Sequence, residues 1–255
     1  MFADLDRAAR APLRTLTKEN AERVGRHLVM VGRLLDEDPE AAYLHAQAAV
    51  RRAGRVDVVR EAAGLAAYRT GRYAEALREL RTVRRLNGSS EHLAIMADAE
   101  RGLGRPERAV ALAQEPEAST LSAEARVELA IVVSGARLDL GQPEAAVAAL
   151  RSVVPSGGLQ AARVAQARAA ALEASGRPEE AAAELASFSR AELDAASGEV
   201  EDDVVVFDLE DADDDEDALD GEPVAGDAVT ERSGADDVTP AGDAQGTTEQ
   251  TQEQA

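Results

Sequence analysis

The sequence contains no cysteine and no tryptophan, and aromatic residues make up only 2% of its 255 positions. Without cysteine there is no disulfide scaffold, no thiolate metal site and no Cys nucleophile, and folding does not depend on an oxidising compartment. So few rings leave the interior to Ala, Leu and Val, whose dense use favours close helix packing. Long hydrophobic runs are also missing: a stretch such as Val204, Val205, Val206 and Phe207 falls far short of the ~20 residues that span a bilayer. The opening segment mixes Asp4 and Asp6 with Arg7, Arg10 and Arg14 and has no apolar signal-peptide core. Secretion and membrane insertion are not expected, and a cytoplasmic location is.

Charge is present but badly divided. Residues 1–190 carry 27 Lys+Arg against 26 Asp+Glu, whereas residues 191–255 carry 1 against 23. The front part can bury a core. The acidic part has too little apolar surface to repay its ordering entropy, so residues 195–255 are expected to be a disordered tail.

The front part is built from a repeat. Gly71, Gly104, Gly141 and Gly176 recur in GRY, GRP, GQP and GRP, and the residue two places after each opens a new helix. With Pro39 added, the starts are Pro39, Tyr73, Pro106, Pro143 and Pro178, at intervals of 34, 33, 37 and 35 residues. Proline suits the first helical position, where its missing N–H would be unpaired anyway, and the glycine suits a helix end. Three residues past each start stands an alanine: Ala42, Ala76, Ala109, Ala146 and Ala181. A small side chain at a fixed place lets the two helices of a hairpin approach closely. The pattern predicts helices over 17–36, 39–53, 57–70, 73–87, 90–103, 106–115, 122–140, 143–154, 158–175 and 178–194, with Thr17 as a helix cap and residues 1–16 as an N-terminal extension. Strands are disfavoured at every Ala-rich turn.

These residues resemble the tetratricopeptide repeat, a helix pair of about 34 residues. GLAAYRTGRYAEALREL, residues 64–80, matches best: Gly64 stands where the family has a small residue, Tyr73 where it has an aromatic after the turn, and Ala76 where it has alanine. Later units keep the glycine and alanine, put proline in place of Tyr73, and lack the family's early tryptophan. Lys18 is the single lysine among 28 basic residues, a composition typical of a GC-rich bacterial genome. The whole chain is similar to acidic-tailed repeat proteins predicted in actinobacterial genomes. The resemblance implies an all-α solenoid of about five hairpins over residues 17–194 that exposes the first helix of each pair on a concave, partner-binding surface.

The candidate partner-binding residues on that surface are Glu61, Leu65, Tyr68 and Arg69; Asp98 and Arg101; Ile131, Leu138 and Asp139; and Gln166 and Glu173. None is Lys or Asn, so a carboxylate clamp is not expected. Arg69 and Arg101 beside Leu65 and Tyr68 suit an amphipathic or acidic segment of a protein partner. No enzyme signature accompanies them. His27, His45 and His92 form no HExxH or i, i+4 pair, and neither GxxxxGK nor GxSxG occurs. No catalytic residue, metal or cofactor is expected.

Residues 51–112 hold 13 Arg against 8 Asp+Glu, which offers nucleic acid as an alternative partner. Scarce aromatics for base stacking weigh against it. Within the tail, Val204 to Phe207 and Leu209 form an apolar island among acids, read as a linear motif that contacts the groove through Phe207 and modulates binding.

Overall fold

The computed structural model describes residues 4–198, and the regular structure in them is entirely helical. Proline stands at the first position of α3 (Pro39–Ala53), α7 (Pro106–Ala113), α9 (Pro143–Leu150) and α11 (Pro178–Leu185), while Tyr73 opens α5 (Tyr73–Asn87). Each of these follows a partner: α2 (Lys18–Leu34), α6 (Leu93–Gly102), α8 (Ala123–Asp139), α10 (Gly158–Ala174) and α4 (Asp57–Arg69), respectively. Short elements complete the set: α1 (Arg7–Arg10), 3-10 turns at Pro12–Thr15 and Pro116–Thr120, and α12 (Arg190–Ser197).

Four hairpin corners share one geometry. Gly71, Gly104, Gly141 and Gly176 have φ of 70°, 69°, 68° and 73°, a left-handed backbone that a Cβ would strain. In each corner the residue after the glycine donates its N–H five residues back: Arg72 to Ala67 at 2.8 Å, and Arg105 to Glu100, Gln142 to Arg137 and Arg177 to Leu172 at 2.9 Å. Those bonds satisfy carbonyls that the helix end would leave unpaired. The first corner has no glycine; there Asp38 caps α3 by accepting the Ala41 N–H.

Packing follows the predicted hairpins. α2 packs on α3, α4 on α5, α6 on α7, α8 on α9 and α10 on α11. The second helix of each pair also meets the next pair, as α3 does α4 and α9 does α10. All five marker alanines, Ala42, Ala76, Ala109, Ala146 and Ala181, are completely buried. Gly64 explains a closer approach: a Cβ there would lie 2.7 Å from Leu80 Cδ2, inside contact distance. Leu77, Leu80 and Met96 pack together between α5 and α6, each contributing about 1.5–3 kcal/mol when fully buried.

The structure departs from the sequence reading in four places. Residues 4–16 are more than an appended extension, because Leu13 is fully buried against Val24, Leu28 and Val59. Thr17 precedes α2 but makes no side-chain cap. The single helix predicted over 178–194 is two, α11 and α12, because Ser189 and Glu192 form a capping box that starts a new helix. That helix runs to Ser197, past the predicted tail boundary at 195. The rest of the expected tail, Phe207 included, lies outside the described residues.

Candidate binding cleft

A cleft of about 680 Å³ takes side chains from successive hairpins. Its apolar wall is Leu35 at the end of α2, Leu65 on α4, Ile95 on α6, Val132 on α8 and Leu159 on α10, and Ala195 and Ala196 of α12 line it as well. A second cleft of about 440 Å³ shares Leu35 and Leu65 and continues under α1. Helical spacing places the wall: Glu124, Glu128 and Val132 recur every four residues on α8 and so share one face.

The expected site residues divide accordingly. Leu65, Tyr68, Arg69 and Asp98 line the larger cleft. Glu61 lines the smaller one, and Arg101 borders a separate hollow with Asp98 and Asp139. Ile131 and Leu138 lie off the wall, since Val132, one residue along from Ile131, takes the inward position on α8. Gln166 faces α12, donating to the Leu193 carbonyl at 2.9 Å and to Ser197 Oγ at 2.8 Å. Glu173 is exposed.

The polar members hold one another. Tyr68 donates its hydroxyl to Asp98 Oδ2 at 2.6 Å, while Arg101 Nη1 donates to Asp98 Oδ1 at 2.8 Å. Arg101 also reaches Asp139 through Nε at 2.8 Å and Nη2 at 3.3 Å. Its guanidinium lies flat over α8, where a Cβ on Gly135 would be 2.7 Å from Cζ. Burial, reinforced by the Asp98 bond, pushes the Tyr68 phenol well above its ordinary range. Burial opposes the Arg101 charge, but Asp139 and Asp98 outweigh it and keep the guanidinium protonated. Arg69 pairs with Asp36 at 2.7 Å, His92 with Glu61 at 3.0 Å and Arg163 with Glu128 at 2.7 Å. The two arginines expected to greet an acidic segment are therefore already occupied by acids of this chain.

The same is true of much of the arginine-rich region. Glu79 and Glu100 are buried, and arginines converge on them: Arg60 at 2.6 Å and Arg78 at 3.4 Å on Glu79, Arg81 at 2.8 Å and Arg105 at 3.6 Å on Glu100. Arg84 meets Glu115 at 2.8 Å, and Arg72 meets Glu40 at 2.9 Å while stacking on Tyr43. Such pairs tie neighbouring helices together.

One contact escaped the sequence reading. His27 on α2 and His45 on α3 bring their Nδ1 atoms to 2.9 Å. Their ring centroids are 5.2 Å apart, close to that contact plus one ring radius on each side, so the nitrogens point head-on at each other. A metal would need them to converge sideways instead. Among the described residues, no group of three or more His, Asp or Glu is placed to hold a metal ion, and no helix is long and apolar enough to cross a membrane. Comparison of the chain with protein families, with curated proteins and with solved structures finds no match.

Proposed function

We propose that residues 17–194 act as an α-solenoid of the tetratricopeptide kind, a non-catalytic scaffold that receives a segment of a partner protein along the larger cleft. The observation carrying this reading is that the cleft draws on the first helix, or the cap, of every hairpin: Leu35, Leu65, Ile95, Val132 and Leu159. A ligand lying there would touch all five units at once, which is how a stacked array turns a small repeat into an extended surface.

A second observation supports the stacking. The cross-hairpin pairs join positions about one repeat apart: 30 residues for Tyr68 and Asp98, 31 for His92 and Glu61, 32 for Arg72 and Glu40, and 38 for Arg101 and Asp139. Repeated spacing of this sort is what neighbouring units in register produce. The wall itself is mostly aliphatic, so burial of apolar side chains would supply most of the affinity.

The test replaces Leu65, Ile95 and Val132 with Ser in the full chain and compares capture of partners from a lysate of its host cells. Retention of a defined protein by the parent and its loss from the triple variant, with helical circular dichroism unchanged, is the expected result. Equal retention by both would move the site away from the cleft. The original candidates Tyr68 and Arg101 are poor choices for this purpose, because each is tied into the fold through Asp98.

A further inference from the structure

The charges along the two joined clefts do not cancel. Asp6, Asp57 and Glu61 border the smaller cleft, and Asp98, Glu124 and Glu128 border the larger; Arg69 and Arg163 are the cations among the lining residues. Both arginines are neutralised within the chain, by Asp36 and Glu128. Asp98 is spent on Arg101. What remains is Asp6, Asp57, Glu61 and Glu124. Among the described residues, Asp6 accepts only the Ala8 N–H, and Asp57 only the neutral groups Val58 N–H and Asn87 Nδ2. Glu61 meets His92, which offsets its charge only when protonated. Glu124 is exposed in the first turn of α8, and its carboxylate has no partner among the described residues.

This excess belongs to the face and not to the front part as a whole, where 27 basic residues meet 26 acidic ones over residues 1–190. An aliphatic floor with an uncompensated acidic border favours a ligand that buries apolar side chains while keeping cations at the rim. Building on the cleft reading above, we propose that the occupant is a cationic, apolar protein segment in which Leu- or Val-like side chains fill the wall and Arg or Lys meets Glu124 and Glu61. The acidic segment of this same chain, with 23 Asp+Glu against 1 basic residue over residues 191–255, has the wrong sign to be that occupant.

The experiment uses the full chain and three labelled synthetic peptides sharing one length and one set of Leu and Val positions, with Arg, Ser or Glu between them. Fluorescence anisotropy is read at low and at high salt. The Arg peptide should bind about tenfold or more tighter than the Ser peptide at low salt, the Glu peptide should bind weakest, and the gap should narrow as salt screens the border. Glu124→Lys should weaken the Arg peptide about fivefold and flatten its salt dependence. Leu65→Ser and, independently, Ile95→Ser should weaken all peptides that bind, each variant being checked for unchanged helicity. Ser or Glu peptides binding as tightly as the Arg peptide would overturn the cationic assignment while leaving the cleft as a binding site. Arg-peptide binding untouched by all three variants would place the cation on the acidic segment and overturn the proposal. Failure of every peptide to bind would remove both this inference and the reading it rests on.

Discussion

The front and rear hairpins follow one corner geometry and fill their interiors differently. α3 and α5 each have 15 residues, whereas α7, α9 and α11 each have 8. Where α5 of the front set packs on α6, Leu77, Leu80, Leu93 and Met96 are almost wholly buried, and two buried glutamates are clasped by arginines from neighbouring helices. At the rear α11 buries only Ala181, and Leu185 is half-buried. Arg168 does part of the work there, donating to the Leu150 and Val153 carbonyls at 3.2 and 2.7 Å. The difference teaches that a shared corner sets the repeat while side-chain volume sets its strength, so stability should fall from front to rear.

The sharpest way to break that comparison is to remove the same leucine from both ends, since Leu80 and Leu185 occupy matching positions four residues beyond Ala76 and Ala181. Leu80→Ala should cost about 3 kcal/mol or more, because it empties a fully enclosed site. Leu185→Ala should cost less, about 1–2 kcal/mol, since that side chain is only partly enclosed against Ala169, Leu172 and Ala181. Chemical denaturation followed by circular dichroism measures both, and equal losses would remove the gradient. A middle-sized effect is expected from the buried acids. Arg81→Ala strips Glu100 of its 2.8 Å partner and leaves Arg105 at 3.6 Å, which should cost about 2 kcal/mol. Changing Glu100 to Met alongside Arg81→Ala should recover part of the loss; if the double variant is worse than the single, the pair contributes through packing alone.

The smallest effect concerns pH. Burial first, then the charges of His45, Arg52 and Arg51, hold His27 below the ordinary imidazole value of 6.5. The folded state therefore binds its proton less readily than the unfolded chain. Its contribution to stability is fully present above pH 6.5 and is lost as pH falls from there through the lowered folded value. The melting temperature should drop across that window, and His27→Gln should flatten the drop. An unchanged slope in the variant would mean that other groups carry it.

Much of the fold was legible because its punctuation is local. Proline after a glycine corner and an alanine three residues later are read along a single stretch of chain, and all five alanines prove buried. The start of α12 was equally local: Ser189 followed three residues later by Glu192 is a capping signal that the sequence displayed. Other features depend on register across helices. The meeting of His27 with His45, 18 residues apart, requires knowing how α2 rolls against α3. Choosing Val132 over Ile131 requires a rotation of about 100° about α8 to be fixed by its neighbours. The pairing of Arg69 and Arg101 with acids 33 and 38 residues away was likewise out of reach, and with it the sign of the charge left along the cleft.

The spacing of the side-chain bonds also bears on how the chain comes into being. Among the described residues no side-chain hydrogen bond joins positions more than 38 apart. Closing a loop of that size costs little more than closing one half as long. A hairpin emerging from the ribosome can thus find its partners in the hairpin just made, without waiting for the chain to be finished, and each completed corner presents the template on which the next is laid.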